Sequence, residues 1–183
     1  MTDALTRRSF LAQSLAGSAV FGAAWGSEPL PSSVPPVKEF SPNEKIAVGF
    51  IGLGGMGTGT LNGFLSHKDV DVLAVCDVYE PHVYRAREIV EKSHRPAPDT
   101  YKDFRRVLER KDIDAVVVST PDHWHAIPSI LACQADKDVY CEKPLVYCID
   151  EGKTMVKAAR ENKRITQMGT QVHAGENYRR VVE

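Results

Sequence analysis

Two apolar runs, KIAVGFI at 45–51 and VDVLAVC at 70–76, are dense in β-branched residues and stop abruptly, the first in glycines and the second at Asp77. Runs of this length that show no polar alternation predict strands buried on both faces. Between them, Gly57 to His67 has the length and mixed polarity of a short helix. After them, Pro81 opens a segment to Ser93 in which Val83, Ala86, Ile89 and Val90 recur at helical spacing. The alternation continues with a helix from Tyr101 to Arg110, a strand at Ala115–Ser119, a helix from His123 to Ala135 and a strand at Asp138–Cys141. A helix at Ile149–Asn162 and a strand at Arg164–Met168 complete it. Every crossover is long enough to hold a helix, so the expected fold is α/β, a doubly wound parallel sheet covered on both sides.

The glycines that end the first strand are the strongest local signal. VGFIGLGGMGTG at 48–59 holds six of the chain's thirteen glycines. Gly52-Leu53-Gly54-Gly55-Met56-Gly57 fits G-x-G-x-x-G at a strand-to-helix junction, where each glycine has a use. Gly52 permits a tight turn, Gly54 lets the backbone approach a pyrophosphate, and Gly57 lets the helix pack on the strand. The helix N-terminus then offers N–H groups and partial positive charge to phosphate. Asp77 ends the second strand twenty residues beyond Gly57, where such a fingerprint places an acid for the adenosine ribose hydroxyls. A carboxylate there repels a ribose 2′-phosphate, and Val78 and Tyr79 supply no cation, so NAD is favoured over NADP. Arg85 and Arg87, further along the next helix, are the residues able to reach back and offset that preference.

Two further strand ends carry chemistry. AVVVSTPDHWHA at 115–126 closes a buried strand in Thr120-Pro121 and restarts a helix near Asp122, on the edge of the sheet where ligands bind. His123 and His125, two positions apart, point in different directions and have no third ligand beside them, so a metal is not expected. A packing or hydrogen-bonding role for one of them is, with Trp124 as core. DVYCEKP at 138–144 delivers Glu142 and Lys143 to the same edge. A lysine at such a place is able to deprotonate a hydroxyl and hold the developing alkoxide.

Composition narrows the class. With 23 basic and 24 acidic residues, a formal charge of −1 and 43% hydrophobic residues, the chain has no field to attract DNA or an anionic membrane. Nucleic acid is therefore not an expected partner. Cys76, Cys133, Cys141 and Cys148 form no C-x-x-C pair and are read as buried or idle thiols. The N-terminus, MTDALTRRSFLAQSLAGSAVFGAAWGS, sets Arg7-Arg8 before a weakly apolar stretch interrupted by Gln13, Ser14 and Ser18. That stretch is too short for a stable membrane span and has the layout of an export signal over residues 1–27; TRRSFL resembles the twin-arginine motif, which implies a periplasmic destination. Residues 28–43 read as a proline-rich linker, with the folded part beginning near Glu44.

Taken in order, GLGGMG, Asp77, TPDHWHA, CEKP and QMGTQ at 167–171 resemble the Gfo/Idh/MocA family of oxidoreductases, named for glucose-fructose oxidoreductase and inositol dehydrogenase. The resemblance implies a Rossmann domain, here 44–170, followed by an α/β domain that lines a sugar or polyol site. It implies that Gly52, Leu53, Gly54, Gly55, Met56, Gly57 and Asp77 bind the adenosine and pyrophosphate part of NAD, and that Thr120, Pro121, His123 and His125 flank it. It places Glu142 along the ribose on the nicotinamide side and Lys143 at the substrate hydroxyl, with a cis Lys143-Pro144 bond. AGENYRRVVE reads as the start of a crossover over 171–183 into a largely missing second domain. Without that domain the chain is expected to bind cofactor and not to turn over, and to expose an apolar edge; a homo-oligomer is possible through the missing domain, where relatives usually assemble. Dehydrogenation of a secondary carbinol in a sugar or cyclitol is the favoured activity. A redox-neutral glycosidase that uses NAD transiently, or a non-catalytic nucleotide-binding fragment, are the alternatives.

Overall fold

The computed structural model describes residues 45–170. The export signal, the linker and the crossover expected at 1–44 and 171–183 lie outside them. Six strands alternate with helices: β1 (Ile46–Ile51), α1 (Gly55–Leu65), β2 (Val70–Cys76), α2 (Glu80–Lys92), β3 (Asp99–Tyr101), α3 (Phe104–Leu108), β4 (Ala115–Val118), a 3-10 turn (Asp122–Trp124), α4 (Ala126–Gln134), β5 (Asp138–Glu142), α5 (Ile149–Glu161) and β6 (Thr166–Gly169). All pairings are parallel, in the order β3-β2-β1-β4-β5-β6. This is the doubly wound dinucleotide-binding order, which reverses direction between β1 and β4.

Both faces of the sheet are buried, as the apolar runs require. Val48, Phe50, Val70, Val72 and Val75 pack with Leu61 of α1 and with Val83, Ala86 and Val90 of α2. Ile51, Ala74, Val116, Val118, Val139 and Cys141 pack on the other face against α3, α4 and α5. At about 1.5–3 kcal/mol for each fully buried valine-sized or larger side chain, these two layers carry the fold. An edge-to-face aromatic chain, Phe50–Phe64 at 5.5 Å and Phe64–Tyr140 at 5.7 Å, links α1 to β1 and β5.

Two expectations need correction. The helix expected from Tyr101 to Arg110 is shorter, Phe104–Leu108, and Tyr101 instead ends a three-residue strand, Asp99–Tyr101. Tyr101 pairs with Cys76 on the edge of the sheet, and Asp103 caps α3 by accepting from the Arg105 N–H at 3.0 Å. Asp-Thr-Tyr holds two strand-favouring residues but is too short to show an alternation of its own. It is held by β2 and by Arg110, which donates to Asp99 at 2.5 Å and to the Leu73 carbonyl at 3.2 Å. Trp124, expected in the core, is 45% exposed, because the turn at Asp122–Trp124 offsets it from the buried face of α4.

Candidate functional site

The strand C-termini enclose a cavity of about 740 Å³, walled by the glycine turn after β1, by Asp77 and His82 after β2, by Phe104 and Arg105 after β3, and by Ser119, Thr120 and Pro121 after β4. His123, Trp124 and Met56 also line it. Ligands of doubly wound sheets bind in this crevice, where the strand order reverses.

The glycine turn is built for closeness. Gly52 has φ +89°, and a Cβ there would lie 2.6 Å from the Ser119 carbonyl carbon and from the Thr120 nitrogen. A Cβ on Gly57 would collide with the Gly52 carbonyl oxygen, so α1 touches the turn backbone to backbone. The next positions are open: among the described residues a Cβ on Gly55 would meet nothing within 4 Å, and one on Gly54 would meet only the His82 Cε1 at 4.0 Å. Gly54 caps α1 without a side-chain hydrogen bond. The helix therefore opens on the cavity wall with no side chain of its own in the place where a phosphate is stabilised.

Asp77 organises the turn as well as facing the cavity. Its Oδ2 accepts from the Leu53 N–H at 2.7 Å and lies 3.1 Å from the His82 Nδ1; its Oδ1 accepts from the Tyr79 N–H at 2.9 Å. Leu53 is fully buried, so its part in the site is played by its backbone. Arg85, able by its position to reach back towards a 2′-phosphate, is committed elsewhere. Its Nη2 donates to the Leu53 carbonyl at 2.7 Å and to the Thr58 hydroxyl oxygen at 3.1 Å, while Thr58 donates to the same carbonyl at 3.0 Å. Arg87 pairs with Glu91 on the outer face of α2. The turn is thus held from both sides, by a carboxylate on its N–H and a guanidinium on its carbonyl. Sequence reasoning missed Arg85 in this role; the signal was present, since an arginine one turn into the helix after the acid lies within reach of the loop.

The two histidines separate sharply. His123 is exposed on the wall, its ring beside Asp122 at 3.4 Å. His125 is 1% exposed, with Nδ1 2.6 Å from the Pro144 carbonyl oxygen and Nε2 2.8 Å from that of Thr120. Glu142 is also buried, at 3%, and accepts from the Thr60 hydroxyl of α1 at 3.0 Å; it lies in the seam between α1 and β5 and not on the cavity wall. Lys143 is exposed beyond it, and the Lys143-Pro144 bond is cis. Cys76, next to Asp77, is buried and its thiol is pushed up to about 12 by desolvation and then by the Asp77 charge. Cys133 and Cys141, also buried, rise to about 11 for the same first reason. None of the three is a nucleophile at neutral pH.

The residues present fit a dinucleotide. The open approach at Gly54 and Gly55 is a cradle that a Cβ would fill, and the hydroxyl oxygens of Ser119 and Thr120 are buried at the wall without a hydrogen-bond partner among the described residues. Buried hydroxyls are costly unless something answers them, and a polar ligand in the crevice is placed to do so. No helix among the described residues is long and apolar enough to cross a membrane.

Comparison with known proteins agrees with this geometry. Residues 46–170 match the oxidoreductase family GFO_IDH_MocA, described by its NAD-binding Rossmann fold. A glycosyl hydrolase family 109 protein of Shewanella sp. strain ANA-3 and an alpha-N-acetylgalactosaminidase of Shewanella oneidensis are each 33% identical over 136 residues, 72% of this chain. The chain spans 30% of the length of either relative. Among solved structures, scyllo-inositol dehydrogenase from Lactobacillus casei superposes with a TM-score of 0.68 at 21% identity, over 75% of this chain and 40% of that one. A probable dehydrogenase from Thermotoga maritima does so with 0.66 at 28% identity, over 74% and 39%.

Proposed function

The chain belongs to the Gfo/Idh/MocA oxidoreductase family, and we propose that it forms the nucleotide half of an enzyme that dehydrogenates a secondary hydroxyl of a sugar, sugar derivative or cyclitol. The observation that carries this reading is the crevice in which the glycine turn, Asp77 and the Ser119–Pro121 strand end face one another. NAD, when bound, supplies the hydride acceptor. The chain's residues do the rest of what this half contributes. Gly54 and Gly55 admit the pyrophosphate to the start of α1, Asp77 accepts from the adenosine ribose and disfavours a 2′-phosphate, and Ser119 and Thr120 offer hydroxyls further along. Lys143, exposed at the end of β5, takes the substrate hydroxyl proton and holds the alkoxide charge. Glu142 acts from beneath, fixing the end of β5 to α1 through Thr60.

A second reading is favoured by the relatives at 33% identity, which are named as glycosidases. In it the same oxidation is transient: the oxidised sugar eliminates its aglycone, water adds across the double bond so formed, and the hydride returns, with no net change in NAD. Incubating the full-length protein with sugars and following absorbance of NADH separates the two readings. Stoichiometric NADH supports the dehydrogenase; glycoside cleavage with none supports the glycosidase; neither, from protein shown to bind NADH, leaves a nucleotide-binding role alone. The Arg7-Arg8 segment supports export by the twin-arginine route. Since free NAD is scarce outside the cytoplasm, the proposal includes loading before export, which fails if the exported protein sheds its nucleotide on simple dilution.

A further inference from the structure

His125 lies behind the crevice wall, 1% exposed, and both of its ring nitrogens face backbone carbonyl oxygens: Nδ1 that of Pro144 at 2.6 Å, Nε2 that of Thr120 at 2.8 Å. A carbonyl oxygen only accepts, and a neutral imidazole has one N–H. In either neutral tautomer one nitrogen lone pair is pressed against an oxygen lone pair at hydrogen-bond distance, out of reach of water. Only the imidazolium makes both contacts hydrogen bonds, each of them charge-assisted and short for that reason.

We propose that His125 carries a proton on both nitrogens and, as a buried imidazolium, clamps the strand end after β4 to the strand end after β5. It is a positioning residue. The Thr120 carbonyl belongs to the cavity wall, and the Pro144 carbonyl follows Lys143 directly, so the clamp sets where the lysine stands relative to the crevice. That use rests on the proposed function; the protonation rests on the two distances. The charged and titratable groups on the segments that meet around the ring are Asp122 and His123 on its own turn, Glu142 and Lys143 on the end of β5, and Asp150 and Glu151 at the start of α5, the helix packed on α4. The end of β4 brings only the hydroxyls of Ser119 and Thr120. Among the acids Glu142 alone is buried.

The test is ring ¹⁵N NMR on the full chain labelled at histidine, with His125→Gln to assign the signal. The expected result at pH 7 is two protonated nitrogens with imidazolium shifts and slowly exchanging N–H protons. As pH rises and the second proton leaves, the amides of Thr120 and Leu145, on the two clamped strand ends, are expected to shift with one shared midpoint, a coupling that a histidine packed as filler does not produce. A bare ring nitrogen at pH 7 in the folded chain overturns the proposal, as do amides that titrate independently. Because His125→Gln retains at most one of the two contacts, it is expected to weaken NADH binding about tenfold, the equivalent of one hydrogen bond's worth of positioning. If wild-type chain with a doubly protonated His125 binds no NADH, the proposed function fails and the clamp stands.

Discussion

Three glycines within four positions are expected to answer substitution by alanine in opposite ways, because the structure assigns them different neighbours. Gly52→Ala places a Cβ 2.6–2.7 Å from three backbone atoms of Ser119 and Thr120 at a φ of +89°. Backbone cannot rotate away as a side chain tip does, so overpacking of about 1–3 kcal/mol adds to about 1–2 kcal/mol for the left-handed conformation. The sum, about 2–5 kcal/mol, is a large share of a typical domain's stability and corresponds to a fall in Tm of about 10 °C or more. Gly55→Ala meets nothing within 4 Å among the described residues and lies in the first turn of a helix. It is expected to leave stability unchanged or raise it by about 0.5–1 kcal/mol. Gly54→Ala has φ −62° and open space, so folding is expected to be unaffected, yet its methyl group stands where the pyrophosphate approaches and NADH affinity is expected to fall about tenfold or more. Urea unfolding gives the first quantity and energy transfer to NADH from Trp124, which lines the cavity, gives the second. A Gly52→Ala variant within 1 kcal/mol of wild type, or a Gly54→Ala variant that binds NADH normally, would refute the assignment of turn to folding and approach to binding.

Other outcomes follow from the contacts around the turn. Arg85→Met removes the donor to the Leu53 carbonyl and is expected to cost about 1–2 kcal/mol and weaken NADH and NADPH alike; a selective gain or loss of NADPH would instead return Arg85 to a phosphate-binding role. Asp77→Ala is expected to weaken NADH about tenfold and narrow its advantage over NADPH, as measured by parallel titrations. Lys137, buried and donating to the Arg110 and Ile113 carbonyls at 2.5 and 2.8 Å, has its pKa lowered by desolvation first and by Lys111 second. The folded state then gives up this proton before the unfolded state does, so the residue's contribution to stability rises with pH as it approaches 10.5, the unfolded value. Urea midpoints of wild type minus Lys137→Met between pH 8 and 10.5 are expected to grow in the wild type's favour, and a difference that shrinks contradicts the burial argument. The same variant leaves two carbonyls unanswered and is expected to cost about 2–4 kcal/mol at pH 8.

Buried parallel strands announce themselves, because a strand covered on both faces has no polar positions to interrupt it. KIAVGFI, VDVLAVC and AVVV therefore located β1, β2 and β4, and the glycines and Asp77 at their ends located the crevice. What escaped was decided by partners distant in sequence. Asp99–Tyr101 is a strand only because β2 and Arg110 lie beside it. Whether Trp124 is core or wall depends on a turn of three residues that shifts the helix phase. The hydrogen bond that Glu142 accepts comes from Thr60, on a helix 82 positions earlier in the chain. Arg85 was read through its charge, and its actual use depends on a loop carbonyl that no side-chain pattern displays.

The double engagement of Asp77 bears on how this domain could change its cofactor. Replacing the acid by a small neutral residue is the obvious route to accepting a 2′-phosphate. Here that exchange also strips the Leu53 N–H of its acceptor and releases the loop that Arg85 holds from the other side. A lineage or an engineer moving from one nicotinamide cofactor to the other must therefore make two changes together, a new cation for the phosphate and a new acceptor for the loop. The single substitution lies in a fitness valley between them.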